Sequence, residues 1–196
     1  LLITRLPVSA EQVPTGFTYR TAAELEQDLR GLYDSLMGLG ATRLANADVL
    51  PVIRLTQVFG FHLAALDIRQ NSRFHELALA QLLTAAGLDG ADFPDWDEER
   101  RLAFLEQELN TCRPFTLPGM QLGPEAETVL SCYRVLADYI DRFGSAGLGS
   151  LIISMTRSVS DLLVVYLLAR EGGLVVNTPD GLVCKLPLVP LFETID

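Results

Sequence analysis

Three short apolar runs, residues 61–68, 150–155 and 186–192, constrain most tightly what this chain can fold into. Stretches with helical spacing separate them, so the runs predict strands and the intervals predict helices. Strands joined through helices pair in parallel, because a parallel connection needs a crossover of a dozen or more residues. Such sheets are covered on both faces, and their strands read as continuous apolar runs rather than alternating ones. Each run hands over to polar residues at its C-terminal end: Asp67 and Arg69, Thr156 and Arg157, Glu193 and Asp196. In β/α barrels the chemistry is built from the loops at that end. A complete barrel takes about 250 residues, and this chain has 196. The expected fold is therefore helix-rich α/β, an incomplete (β/α)8 TIM-type barrel with additional helices. Residues 1–58 read as a helical lead-in and 59–196 as the partial barrel.

Local signals place the helices. Residues 1–20, with Pro7, Pro14 and Gly16, read as irregular. Thr21-Ala22-Ala23-Glu24 is a capping box, followed by Leu25, Leu29, Leu32 and Leu36 on one face. Asn46 or Asp48 opens a second helix that tolerates Pro51 in its first turns. Ser72 is the expected N-cap of the helix to residue 86, Asp97 caps another, and Pro124 suits the first turn of a long one. Pro114, Pro118 and Gly119 mark a loop. Ser158 or Ser160 caps the helix from Asp161 to Glu171, and residues 174–184 read as a hairpin around Asn177–Gly181.

Composition excludes several function classes. Fifteen basic against 25 acidic residues give a net charge of −10, which disfavours nucleic-acid binding. The longest uninterrupted apolar run, Leu162–Ala169, is far short of the ~20 residues a membrane span needs. Cys112, Cys132 and Cys184 show no C-x-x-C spacing and read as small buried thiols. With only His62 and His75 as imidazoles, a zinc site is not expected. Ser154, Ser158 and Ser160 lack the flanks of a nucleophile elbow, and no glycine-rich phosphate loop follows a strand. A start without methionine and an end on an apolar run read as a segment of a longer polypeptide.

Two side chains stand out. Arg69 follows the first apolar run, where a planar guanidinium fork can take a phosphate or carboxylate; a local ion pair with Asp67 or Glu76 is the structural alternative. Glu193 follows the last run, where a carboxylate can ligate a hard divalent ion or serve as a first-turn acid of a helix. His62 reads as a packed mid-strand residue. His75, just inside a helix, is better placed to orient Arg69 or its loop.

These segments also resemble a known family. Phe59-Gly60-Phe61-His62-Leu63-Ala64-Ala65-Leu66-Asp67-Ile68-Arg69-Gln70 is similar to the F-G-x-x-L-x-x-L-D-I-R-Q stretch of phosphoenolpyruvate carboxylase. Ile153-Ser154-Met155 with Ser160-Asp161 resembles its I-S-M-x-x-x-x-S-D-x-L segment, and Val189-Pro190-Leu191-Phe192-Glu193-Thr194-Ile195-Asp196 its V-P-L-F-E-T-x-D element. The resemblance implies a segment of a large, cytoplasmic, homotetrameric lyase. That enzyme carboxylates phosphoenolpyruvate with bicarbonate to oxaloacetate and phosphate, via carboxyphosphate and a metal-bound enolate, and requires Mg²⁺ or Mn²⁺. Glu193 matches the family's metal-ligand glutamate and Arg69 an arginine of the phosphoenolpyruvate pocket. Asn71 stands where the family commonly has glutamate, and no role is expected of it. The catalytic histidine region, a second metal-binding aspartate and a glycine-rich arginine loop are missing, so the segment alone is expected to be inactive. The alternatives are another metal-dependent phosphoenolpyruvate-handling barrel and a non-catalytic helical assembly module.

Overall fold

The computed structural model describes residues 18–111, 114–117, 119–179 and 181–193. The lead-in prolines and Gly16, Cys112, Pro118, Asp180, the Thr194–Ile195 pair and Asp196 lie outside the described residues. The chain divides into two compact units, Leu1–Ala65 and Leu66–Asp196. No helix among the described residues is long and apolar enough to cross a membrane.

The first unit is helical. Its α1 (Ala22–Gly38) starts at the expected capping box: the Thr21 hydroxyl accepts from the Glu24 N–H at 3.4 Å, and the Glu24 carboxylate accepts from the Arg20 N–H at 2.9 Å. A short α2 (Thr42–Leu44) runs through a π-helical turn, Ala45–Val49, into α3 (Leu50–Phe59). Pro51 has no N–H to close a normal helical bond, and the wide turn directly before it accommodates that loss. Tyr19, Leu25, Leu29, Val49 and Ile53 form this unit's core.

The second unit is α/β. In order it contains β1 (Leu66–Asn71), α4 (Ser72–Ala85), a 3₁₀ turn at Phe93–Asp95, α5 (Glu98–Leu109), α6 (Pro124–Phe143), β2 (Leu148–Ser154), α7 (Val159–Glu171), β3 (Val175–Thr178), β4 (Gly181–Cys184) and β5 (Leu188–Pro190). Three strands form a parallel sheet in the order β1-β2-β5, with β2 in the centre, while β3 and β4 pair as the expected antiparallel hairpin. Leu151 and Ile153 of β2 join Leu79, Leu82 and Leu83 of α4, Leu130 of α6 and Leu167 and Leu168 of α7 in one buried cluster. Helices thus cover one face of the sheet.

Strand positions depart from the sequence reading. The 61–68 run is not a strand as a whole. Gly60 and Leu63 take positive φ, residues 61–65 form turns, and pairing begins only at Leu66. Arg69, Gln70 and Asn71 therefore lie inside β1 rather than after it, and His62 sits in a turn of the first unit rather than mid-strand. The 186–192 run shortens to three paired residues, and the 150–155 run shifts to Leu148–Ser154. The N-cap of α4 is Asn71, whose side chain accepts from the Phe74 N–H at 2.7 Å, rather than Ser72. Cys132 is exposed and Cys184 half-buried, so neither is a sequestered core thiol.

Two glycines test the packing with opposite signs. Gly172 ends α7 at an ordinary φ of −81°, but a Cβ there would collide with Tyr133 of α6. Gly31, inside α1, has nothing within 4 Å of an added Cβ. By urea unfolding, Gly172→Ala is expected to cost about 1–3 kcal/mol, and Gly31→Ala to add about 0.5–1 kcal/mol.

Candidate functional site

Alternation along β1 sets the geometry. Ile68 turns toward the helices and packs against the buried cluster, which leaves Arg69 on the uncovered face. Arg69 is in register with Ile152 of β2, and Ile152 in turn with Val189 of β5. Beyond β5 the chain stays tied to the central strand: the Leu191 N–H donates to the Ile153 carbonyl at 2.9 Å, and the Thr156 N–H donates to the Leu191 carbonyl at 3.1 Å. Two residues later the Glu193 carboxylate accepts from the Arg69 guanidinium in an ion pair.

The structure thus brings together the two charged residues that the sequence singles out. The partner of Arg69 is thus Glu193 rather than Asp67 or Glu76, which are engaged elsewhere. Asp67 accepts from the Ser150 N–H at 2.8 Å, next to the register irregularity between Leu66 and Ile68. Arg69 is 56% and Glu193 33% exposed, so water screens their pair and its contribution to stability is small.

A divalent hard cation takes six or more oxygen ligands. Among the described residues no group of three or more His, Cys, Asp or Glu side chains converges. Glu193 offers one carboxylate, and Arg69 already engages it. The described residues do not by themselves make a metal site.

Behind this face lies a charged network that the sequence reading missed. Glu76 of α4 is fully buried and accepts from three guanidiniums. Arg73 reaches it at 3.2 Å, Arg101 of α5 at 2.7 Å, and Arg157 of the β2–α7 loop closes the set. Arg101 and Arg73 also donate to the Pro94 carbonyl, at 2.7 and 3.1 Å. The Arg157 N–H and side chain both donate to Asp161, at 2.8 and 3.1 Å. Alongside, Glu98 of α5 caps α7 from outside. It accepts from the Ser160 N–H at 3.0 Å and from the Ser158 and Ser160 hydroxyls at 2.9 and 2.6 Å. Ser158 stands at the N-cap position of α7, one of the two expected, but its hydroxyl, like that of Ser160, donates to Glu98 and makes no capping bond of its own. Glu76 and its arginines lie up to 81 residues apart, so only the tertiary fold reveals the set.

His75 is 3% exposed and bonds the Tyr133 hydroxyl through Nε2 at 3.1 Å; Arg69 is not its partner. Burial pushes its pKa down to about 4, against the smaller opposing influence of the Asn71 backbone and the Asp161 charge. Burial also raises the Tyr133 phenol above its ordinary value. The two line a mostly apolar cleft with Ile68, Val129, Cys132 and Ile153.

Comparison with known proteins follows from these motifs. The family model described as phosphoenolpyruvate carboxylase matches residues 4–196. The chain is 40% identical over 192 residues to phosphoenolpyruvate carboxylase of Rhodopseudomonas palustris strain BisA53, covering 98% of this chain and 20% of that relative. It is 39% identical over 178 residues to phosphoenolpyruvate carboxylase of Aromatoleum aromaticum, covering 91% and 19%. To phosphoenolpyruvate carboxylase 4 of Arabidopsis thaliana it is 37% identical over 199 residues, covering 100% and 18%. The chain spans about a fifth of the length of these curated relatives.

The buried network and the buried imidazole each generate an expectation. Glu76→Ala leaves three guanidiniums without their shared carboxylate and is expected to cost about 3–5 kcal/mol in urea unfolding. For His75, the unfolded imidazole titrates near 6.5 and the folded one near 4. Between those values only the unfolded chain takes up the proton. The stabilisation is therefore fully present above pH 6.5, declines as pH falls, and is gone below about pH 4; it amounts to roughly 3 kcal/mol. His75→Gln is expected to flatten the fall in unfolding free energy across that window, relative to the unsubstituted chain.

Proposed function

This chain belongs to the phosphoenolpyruvate carboxylase family, and on that premise we propose that it serves as part of the substrate-binding barrel of such an enzyme. The overall reaction joins phosphoenolpyruvate and bicarbonate into oxaloacetate and releases phosphate. The three parallel strands are part of a TIM-type barrel closed by chain beyond the described residues, in a cytoplasmic homotetramer.

One observation carries the reading. Arg69 and Glu193, each inside a motif that resembles the family, lie 124 residues apart in sequence and meet on the uncovered face of one sheet. Because the ion pair is exposed, it adds little to the fold, and both groups remain open to exchange partners. In this reading Arg69 binds the phosphoryl or carboxylate group of phosphoenolpyruvate. A guanidinium there opposes the anionic charge and orients it through two parallel hydrogen bonds. Glu193 supplies one ligand to Mg²⁺ or Mn²⁺, and the remaining ligands come from outside the described residues. A bound divalent ion supplies Lewis acidity to the reacting oxygens.

Three measurements test this. The 196-residue chain alone is expected to form no oxaloacetate from phosphoenolpyruvate and bicarbonate. In a full-length carboxylase carrying this segment, Arg69→Ala is expected to lower kcat/KM for phosphoenolpyruvate about a hundredfold. Glu193→Gln is expected to raise the Mg²⁺ concentration needed for half-maximal rate. Unchanged activity and metal dependence in both variants would instead favour a non-catalytic assembly role for this segment.

A further inference from the structure

Helix α3 of the first unit is apolar on two opposite sides, and only one of them is covered. Val49, just before its start, and Ile53 point into the core with Leu25 and Leu29 of α1. Pro51, Leu55 and Val58 recur at steps of four and three, so they form a second line along the helix, on nearly the opposite side from the first. Leu55 is 55% and Val58 70% exposed, and the exposed Val52 and Phe59 widen the patch. With Asn46, Leu50 and Arg54, the second line walls a mostly apolar groove of about 370 Å³. The contrast with α1 is sharp. That helix carries Glu24, Glu26, Asp28, Arg30 and Asp34, whereas Arg54 is the single charged residue of α3. A helix that meets water carries polar residues on its outer side, and one that is apolar all round is buried. A contiguous exposed apolar patch marks a contact surface.

Three features identify what covers it. The chain spans about a fifth of the length of its curated relatives, so most of a full-length carboxylase's polypeptide lies outside this segment. Tethered to the same chain, that polypeptide meets the groove at a far higher effective concentration than a free partner does. The groove also runs along a helical ridge of residues three and four apart, the shape into which another helix packs. Finally, Arg54 stands in the wall of the groove with no ion-pair partner among the described residues, so a carboxylate on the occupant complements it.

We propose, resting on the carboxylase reading above, that the Pro51–Leu55–Val58 face of α3 is an intramolecular docking surface. Its occupant is an amphipathic helix of the full-length enzyme from outside this segment, with apolar residues in the groove and an Asp or Glu against Arg54. The test introduces Leu55→Cys and Val58→Cys, one at a time, into the 196-residue chain and into a full-length carboxylase carrying this segment. Maleimide labelling of each site is followed by peptide mass spectrometry, with the urea-unfolded protein as the reference rate. In the 196-residue chain both sites are expected to label within about tenfold of that rate, and in the full-length protein at least about a hundredfold more slowly. Arg54→Glu is expected to lower the melting temperature of the full-length protein but not of the 196-residue chain, while Arg54→Lys leaves both unchanged. Rapid labelling in the full-length protein would overturn the inference, as would protection already present in the 196-residue chain. Protection lost when the full-length protein is diluted would also overturn it, in favour of a second copy of the chain. A full-length Arg54→Glu protein that melts with the unsubstituted one overturns it too. Slow labelling in a full-length protein that forms no oxaloacetate sinks the carboxylase reading alone; rapid labelling in an active one sinks the docking surface alone.

Discussion

Strand β2 hydrogen-bonds along both of its edges, and everything else in the second unit depends on that. Parallel neighbours cannot be joined by a tight turn, so each crossover must be filled with helices. These helices carry the apolar surface that buries one side of the sheet. With β2 held in the middle, the register of β1 on one edge and β5 on the other is set through a single strand. A slip of one residue in β1 would send Arg69 into the helical layer and bring Ile68 to the open face. The placement of the ion pair is thus a consequence of sheet register, and the pair itself stabilises the fold little.

Buried carboxylates do for the helices what β2 does for the strands. Glu76 gathers guanidiniums from its own helix, from α5 and from the β2–α7 loop, while Glu98 supplies the first turn of α7 with acceptors. A buried charge is tolerable only when it is paired and hydrogen-bonded, and Glu76 meets that condition with three donors. The helix that follows β1 and the loop that follows β2 are therefore bound to each other.

Much of this could be read in the sequence, and the exceptions have identifiable causes. Helix starts written in adjacent residues, at Thr21, Asp97 and Pro124, lie where local chemistry places them, and the parallel pairing follows from apolar runs alternating with helices. The first strand departs from the hydropathy pattern because hydropathy is a poor guide where a sheet has one open face. The apolar residues 61–65 are turns, while polar Arg69 and Asn71 are strand. Asn71 and Ser72 are both good caps, and only the backbone decides for Asn71. The prominence of Arg69 and Glu193 came from their motifs and position; their contact is a tertiary fact. Glu76 and Glu98 carry no local signature at all. Closure into a barrel is an expectation drawn from the apolar runs and the family resemblance; the parallel sheet among the described residues has three strands.

The capping of α7 by Glu98 has a practical consequence for anyone redrawing the boundaries of this segment. To the eye, α5 and its flanking loops are an insertion between one crossover helix and the next, the kind of excursion that is usually trimmed. Yet α5 supplies the acceptors for the Ser160 amide and the serine hydroxyls at the head of α7, and a guanidinium to the buried Glu76 carboxylate. It behaves as a splint across the two crossovers. Shortening the segment there would strip buried Phe93, Leu105 and Phe115 from the apolar core and also loosen the edge of the sheet where its polar residues gather.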